Sequence, residues 1–317
     1  MTARRTERVL VLRSLGLGDL LTSFPALRAL RRAMPRARIE LALPTRLAPL
    51  ARRSDAVDEI VEHEGLAPLP ATSTRPALAV NLHGRGPQST QRLQALAPDR
   101  LWAYHHDDVP TVDGPRWDPE EHEVARWCRL LAHHGVEADP TDLTIATSAI
   151  RDDGLTVVHP GAADAARRWP PSRFAALARA ERRAGRRVVV TGSAAERPLA
   201  RRVVYGASLG ADANLAGALD VDGLVELVAT AGLLVCGDTG VAHVATATAT
   251  PSVVLFGPTS PARWGPPPAV SRHRPLWVGR TGDPHGAAPF PGLLAIGTDA
   301  VLSAIRDVRE GAYRVGP

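Results

Sequence analysis

Short apolar runs alternate with amphipathic stretches along most of this chain. Val9–Arg13 predicts a short buried strand that runs into a glycine-containing turn. From Asp19 to Met34, the positions Leu20, Phe24, Leu27, Arg31 and Met34 recur at helical spacing and are mostly apolar. Pro25 either kinks that helix or marks a restart capped by Thr22 or Ser23. Ile39, Leu41 and Leu43 alternate through Arg38–Leu43, and strand character returns at Leu78–Leu82. Val124, Trp127, Leu130 and Leu131 form the apolar stripe of a helix over Pro119–His134. The stretch Gly135–Asp153 is polar and turn-rich, so a boundary is placed near 150, with domains 1–150 and 151–317.

The second half repeats the pattern more regularly. Strands are expected at Thr156–His159, Arg187–Thr191, Asn214–Ala216, Leu233–Cys236 and Ser252–Phe256. Helices are expected near Arg173–Ala184, Glu196–Leu209, Asp222–Ala231 and Val241–Thr248, with Gly185 and Gly232 as C-terminal caps. Short apolar strands alternating with helices imply an α/β protein with parallel sheets covered on both faces. Such sheets bind ligands at the carboxyl ends of their strands, and two of them in one chain would leave a cleft between. Thr246–Thr250 and Pro266–Pro268 are biased stretches without evident function, and no repeat of 20–50 residues is present.

Composition narrows the chemistry. All 38 basic residues are arginine, which excludes Schiff-base lysines and phosphate-binding loops of the GK[ST] type. A net charge of +5 suits an anionic partner, but the arginines fall in scattered pairs such as Arg4-Arg5 and Arg186-Arg187. That scatter reads as solvated helix faces, so no nucleic-acid partner is expected. Cys128 and Cys236 cannot build a disulfide framework or a multi-thiolate zinc site. Arg13 interrupts the apolar run Val9–Leu12 after four residues, too early for an export signal, and no stretch is long enough to span a membrane. The expected location is cytoplasmic, with at most peripheral membrane contact.

Three loops are candidates for chemistry. Gly16-Leu17-Gly18-Asp19 follows the first strand, and as a dinucleotide fingerprint it fails because Leu21 holds the third glycine position. Asp19 is either a carboxylate able to take a proton from a hydroxyl or a residue that steadies a helix N-terminus through the dipole. The second loop, His159 to Pro170, contains Gly161, Ala162, Arg167 and Arg168, so backbone N–H groups and guanidinium forks suit a diphosphate. An ordinary loop with a packed tryptophan and solvated arginines is the alternative. In the third, Gly237-Asp238-Thr239-Gly240 delivers a strand onto a helix N-terminus, where amides attract an anion and Thr239 offers a hydroxyl. His243, one turn on, either reaches a phosphate or packs in the core. Gly206-Ala207-Ser208-Leu209-Gly210 imitates a hydrolase elbow but lies at a helix end, where that motif needs a strand. His105-His106-Asp107-Asp108 cannot turn adjacent side chains onto one ion, and His133-His134 reads as an exposed helix end.

Together these residues resemble glycosyltransferase family 9. The resemblance runs in order through Gly18-Asp19-Leu20-Leu21 with Pro25-Ala26-Leu27, Asn81-Leu82-His83-Gly84 and the helix from His122 to Leu131. It continues through His159-Pro160-Gly161-Ala162, Arg168-Trp169-Pro170, Asn214-Leu215-Ala216-Gly217, Gly237-Asp238-Thr239-Gly240 with His243, and Phe256-Gly257-Pro258-Thr259. It implies a GT-B architecture: two Rossmann-like domains with parallel sheets facing across a cleft, and a terminal helix that crosses back to the first domain. It further implies inverting, metal-independent transfer without a cofactor, in which the second domain holds a nucleotide-diphosphate sugar and the first a carbohydrate-type acceptor. Asp19 matches the catalytic base. Gly18, Gly161, Ala162, Arg167, Arg168, Asp238, Thr239, Gly240 and His243 match the donor and diphosphate side, and Glu196 the ribose contact. Arg167 stands where the family often has lysine, Asn81 where many relatives have aspartate, and His83 where many have glutamine. ADP-heptose is the leading donor, with a hydroxyl of a glycan or small molecule as acceptor. The rival readings are a non-catalytic nucleotide-sugar-binding protein and a nicotinamide-dependent oxidoreductase; the oligomeric state stays open.

Overall fold

A computed structural model describes residues 7–267 and 272–313. Arg4, Arg5 and Pro268, singled out above, lie outside the described residues. The chain divides into two compact units, Met1–Leu143 and Thr144–Pro317.

The first unit contains five strands: β1 (Arg8–Leu12), β2 (Arg38–Leu43), β3 (Glu59–Glu62), β4 (Leu78–Asn81) and β5 (Leu101–Trp102). Its helices are α1 (Leu17–Thr22), α2 (Phe24–Ala33), α3 (Ala48–Arg52), α4 (Gln88–Gln94) and α5 (Glu123–His133). All strands pair in parallel in the order β3-β2-β1-β4-β5. The order reverses direction between β1 and β4, where Leu12 lies beside Asn81 and the loops that follow start side by side. In an open α/β sheet this reversal is where a ligand crevice forms.

Of the two readings of Pro25, the restart at Ser23 holds, and the stretch after Asp19 is two helices. Ser23 ends α1 and begins α2, with Pro25 near the start of α2 where a missing N–H costs nothing. In β2 every residue but Arg38 is buried, so both faces are covered as expected of a parallel sheet, and Glu40 is enclosed with Arg8 at 3.2 Å. The helix expected from Pro119 starts at Glu123, where the His122 ring accepts the Val124 N–H.

The second unit contains β6 (Asp152–His159), β7 (Arg187–Val190), β8 (Ala231–Gly237), β9 (Ser252–Leu255) and β10 (His273–Leu276). Its helices are α6 (Pro171–Arg183), α7 (Arg197–Gly206), α8 (Val221–Thr230), α9 (Gly240–Ala247), α10 (Pro261–Trp264), α11 (Pro291–Leu294) and α12 (Thr298–Tyr313). The parallel order is β10-β9-β8-β6-β7, so the reversal falls between β6 and β8, with His159 beside Cys236.

Two expected features differ here. Asn214–Ala216 is not a strand: Asn214 makes one isolated bridge to Val190 before the chain turns away. Gly232 is not a helix cap but a residue of β8, and a Cβ there would stand 2.5 Å from Asp153 Cα, so the close approach of β6 requires glycine. Gly185 does follow α6 in the left-handed region expected of a cap.

The closing helix α12 packs on α6, β9 and β10 of its own unit. Arg309 ties it down, donating to Glu181 at 2.7 Å, to the Thr156 hydroxyl at 2.9 Å and to the Asp153 carbonyl at 3.1 Å. Trp169, fully buried against Phe174, donates its indole N–H to the Ile296 carbonyl at 3.0 Å.

Candidate active site

In the first unit the chain leaves β1 through Arg13 and Ser14 and turns at Gly16 into α1. Gly18 is buried in the first turn of α1, and Asp19 stands at its third position. Asp19 Oδ2 accepts the Gly16 N–H at 3.0 Å, so the carboxylate does steady the helix start. The side chain is nevertheless 28% exposed, so a ligand can reach it.

Behind Asp19 lies a charged group that sequence reasoning missed. Arg13 is completely enclosed. Its Nε donates to the Asp19 carbonyl at 2.8 Å, and Nη2 to Thr22 Oγ1 at 3.1 Å and to Glu123 Oε1 at 3.0 Å. Nη2 also lies 3.5 Å from Asp19 Oδ1, and Nη1 donates to the Leu82 carbonyl. The guanidinium sits 4.7 Å from the Trp127 ring centre, while Glu123 accepts from Trp127 Nε1 at 3.0 Å and Arg126 Nη1 at 2.9 Å. The only trace in the sequence is an arginine that ends an apolar run.

After β4, the Asn81 amide donates to the hydroxyls of Ser89 and Thr90 at 2.9 and 3.0 Å, and its carbonyl accepts the His83 N–H at 3.0 Å. This fixes the turn that carries His83. Burial, reinforced by the nearby Arg13 charge, pushes the His83 ring down to about 4, so it is a neutral imidazole at physiological pH.

In the second unit, the loops after β6 and β8 meet at the sheet's reversal point. His159, buried at the end of β6, shares a hydrogen bond with Thr191 Oγ1 at 2.9 Å, and burial lowers its pKa. Gly161 follows, and a Cβ at that position would lie 2.1 Å from Glu196 Oε1. Glu196 is held over the glycine by the Ser193 N–H at 2.8 Å and the Ser193 hydroxyl at 2.9 Å. Ala162 is buried, and Arg168 closes the loop by donating to the Ala162 and Ala163 carbonyls at 2.9 and 3.1 Å.

Arg167 bridges the two loops. Its Nη1 lies 3.4 Å from the Asp238 carbonyl and its Nη2 donates to Asp164 at 3.1 Å, while its Nε is buried with no partner. Asp164 also lies 3.1 Å from His285 Nδ1. Burial pushes the Asp238 carboxyl up to about 6 against the pull of Arg167 and the Thr259 hydroxyl. Thr239 forms the N-cap of α9 without bonding its side chain to the helix amides, and Gly240 opens the first turn. Those amides and Arg167 form a positive cradle for an anion. His243 packs edge-on against Trp264 at 5.8 Å.

The set-aside clusters fall elsewhere. His105 pairs with Asp107 at 3.3 Å and His106 with Asp108 at 3.8 Å. Asp113, His133 and His134 do bring ligand atoms within 4.8 Å of one another. They gather at the far end of α5, about 15 Å along the helix from Glu123 at 1.5 Å per residue. Ser208, just past α7, has the backbone of a helix end (φ 56°). Among the described residues no helix is long and apolar enough to cross a membrane.

Two Rossmann-like α/β units, each with candidate ligand-binding loops at its sheet's reversal point, define a protein of the GT-B fold class. The profile of glycosyltransferase family 9 (heptosyltransferase) matches residues 115–280, more than half of the sequence, and the chain belongs to that family. It is 36% identical over 99 residues to lipopolysaccharide heptosyltransferase 2 of Escherichia coli, a match covering 30% of this chain and 28% of that relative. Among solved structures it resembles Escherichia coli ADP-heptose lipopolysaccharide heptosyltransferase II, with a TM-score of 0.77, 21% identity and coverage of 96% of this chain and 99% of that one. It also resembles a glycosyltransferase family 9 protein from Veillonella parvula, with a TM-score of 0.79, 20% identity and coverage of 98% and 99%.

Proposed function

We propose that this protein is an inverting glycosyltransferase that moves heptose from ADP-heptose to a hydroxyl of a glycan or small-molecule acceptor, without a metal. The observation that carries the reading is Asp19, a reachable carboxylate clamped at the reversal point of the first sheet. Family membership and the donor and product types in the relatives' names support it. In this reading the first unit holds the acceptor and the second the donor, whose diphosphate lies against Arg167, Thr239 and the first amides of α9. Glu196 accepts from the ribose hydroxyls. Asp19 takes the acceptor's hydroxyl proton as that oxygen bonds to the anomeric carbon. The bond from that carbon to the diphosphate oxygen breaks, and ADP leaves with the electron pair, its charge met by the Arg167 guanidinium. Work at the cytoplasmic side of a membrane, with peripheral contact only, belongs to the same proposal.

The test supplies the full chain with ADP-heptose and a panel of acceptors, including lipopolysaccharide-core oligosaccharide and simple glycosides, and follows ADP release and product mass. Asp19→Asn should lower turnover by about 10²–10⁴-fold, with ADP affinity unchanged and no effect of chelator on the wild-type rate. Wild-type turnover in D19N refutes the base assignment. ADP binding with no product from any acceptor would favour the binding-only reading.

A further inference from the structure

We infer that Arg13, with Glu123 as its counter-charge, is the positioning residue that sets the orientation of Asp19; this rests on the reading of Asp19 as the base. Three observations carry it. The guanidinium grips Asp19 at two places, its carbonyl at 2.8 Å and its Oδ1 at 3.5 Å. It also bonds Thr22 Oγ1, whose own hydroxyl donates to the Asp19 carbonyl at 2.9 Å, so the first turn of α1 is fixed from behind. Through the Leu82 carbonyl and Glu123 it joins that turn to the end of β4 and the start of α5.

A purely structural role is a poor explanation for this charge. Arg13 and Glu123 are shielded, with side-chain exposures of 0% and 6%. A buried ion pair is expensive to desolvate, and apolar residues of similar volume often fold as well or better. Arginine offers five N–H donors in a rigid planar fork, and here Nε, Nη1 and Nη2 all face acceptors on α1, after β4 or on α5. Glu123 completes the device. An unneutralised guanidinium beside a base would hold its negative charge in place and weaken it as a proton acceptor, whereas Glu123 shares that charge.

The experiment compares R13M, R13K, E123Q and D19N in the full chain, with ADP-heptose and lipopolysaccharide-core oligosaccharide as probes and crystal structures of the wild type and R13M. R13M should lower kcat by about 10²-fold, since a displacement near 1 Å is enough for that, and leave the KM for ADP-heptose in place. R13K should recover part of the loss. E123Q, which keeps the shape but removes the charge shared by Arg13 and Arg126, should lower kcat and also the melting temperature, so its kinetics are read on protein shown to be folded. In the R13M crystal the Asp19 carboxylate should leave the Gly16 N–H. Wild-type kcat in folded R13M or E123Q, or an Asp19 carboxylate unmoved in the R13M crystal, overturns the inference. Wild-type turnover in D19N instead overturns the base reading itself. If R13M fails to fold, R13K and E123Q still decide the kinetic question.

Discussion

Gly161→Ala should act on donor binding by pushing on another residue. The added Cβ would sit 2.1 Å from Glu196 Oε1, 2.3 Å from its Cδ and 2.6 Å from Oε2. Contacts that close cannot persist, and the carboxylate is the movable end of a flexible side chain, so Glu196 gives way and the backbone stays. Leaving Ser193 forfeits its bonds to the Ser193 N–H and hydroxyl, a capping loss of about 1 kcal/mol. Affinity should suffer more. A hydrogen bond between a carboxylate and a ribose hydroxyl contributes about 1.5–3 kcal/mol, or roughly 10- to 100-fold in Kd. Calorimetric titration with ADP measures the affinity, and urea unfolding the stability. The decisive variant is the double one: G161A added to E196A should cost no further affinity, because its target is already gone. An undiminished loss in the E196A background, or wild-type ADP affinity in G161A, refutes the reasoning.

Other outcomes follow from buried charges. Asp238 has its pKa raised from 3.8 to about 6, so the native state keeps a proton that the unfolded chain has released. Its stabilising contribution is present below about pH 4 and is lost as pH rises through 6, a change of up to ~3 kcal/mol. Asp238→Asn should therefore gain stability relative to wild type between pH 4.5 and 7.5 in urea titrations, and a pH-independent difference refutes this. Arg309→Met leaves Glu181 with Arg186 at 3.1 Å and Thr156 at 2.7 Å as its remaining partners. It should cost about 2 kcal/mol, below the ~3–5 kcal/mol of a fully broken buried pair; chemical unfolding checks it, and a loss under ~0.5 kcal/mol would remove α12's anchor from the account.

What the sequence revealed depended on length and period. The central strands β1, β2, β4, β6, β8 and β9 are apolar runs bounded by turns, and each was legible. The edge strands β3, β5 and β10 were not, whereas the edge strand β7 was read from Arg187–Thr191. Two-residue β5 is too short to show a period, and β10 contains Pro275, tolerable because among the described residues β10 pairs with β9 alone. Asn214–Ala216 looked like a strand because Leu215 and Ala216 are apolar; its one bridge to Val190 shows that local apolarity without a register partner does not make a ladder. In the site, glycine-rich loops after strands were visible as motifs. Arg13 and Glu123 were not, because they are 110 positions apart and meet only in three dimensions.

Both sheets change direction between inner strands, β1 and β4 in one and β6 and β8 in the other. The segments after β7 and β10 nonetheless reach back to the loop after β6, Glu196 over Gly161 and His285 beside Asp164, so in the second unit the edge connections are tied to the centre. Under the proposed division of acceptor and donor between the units, the stretch after edge strand β5 is where a change of acceptor hydroxyl would be written without touching those second-unit contacts.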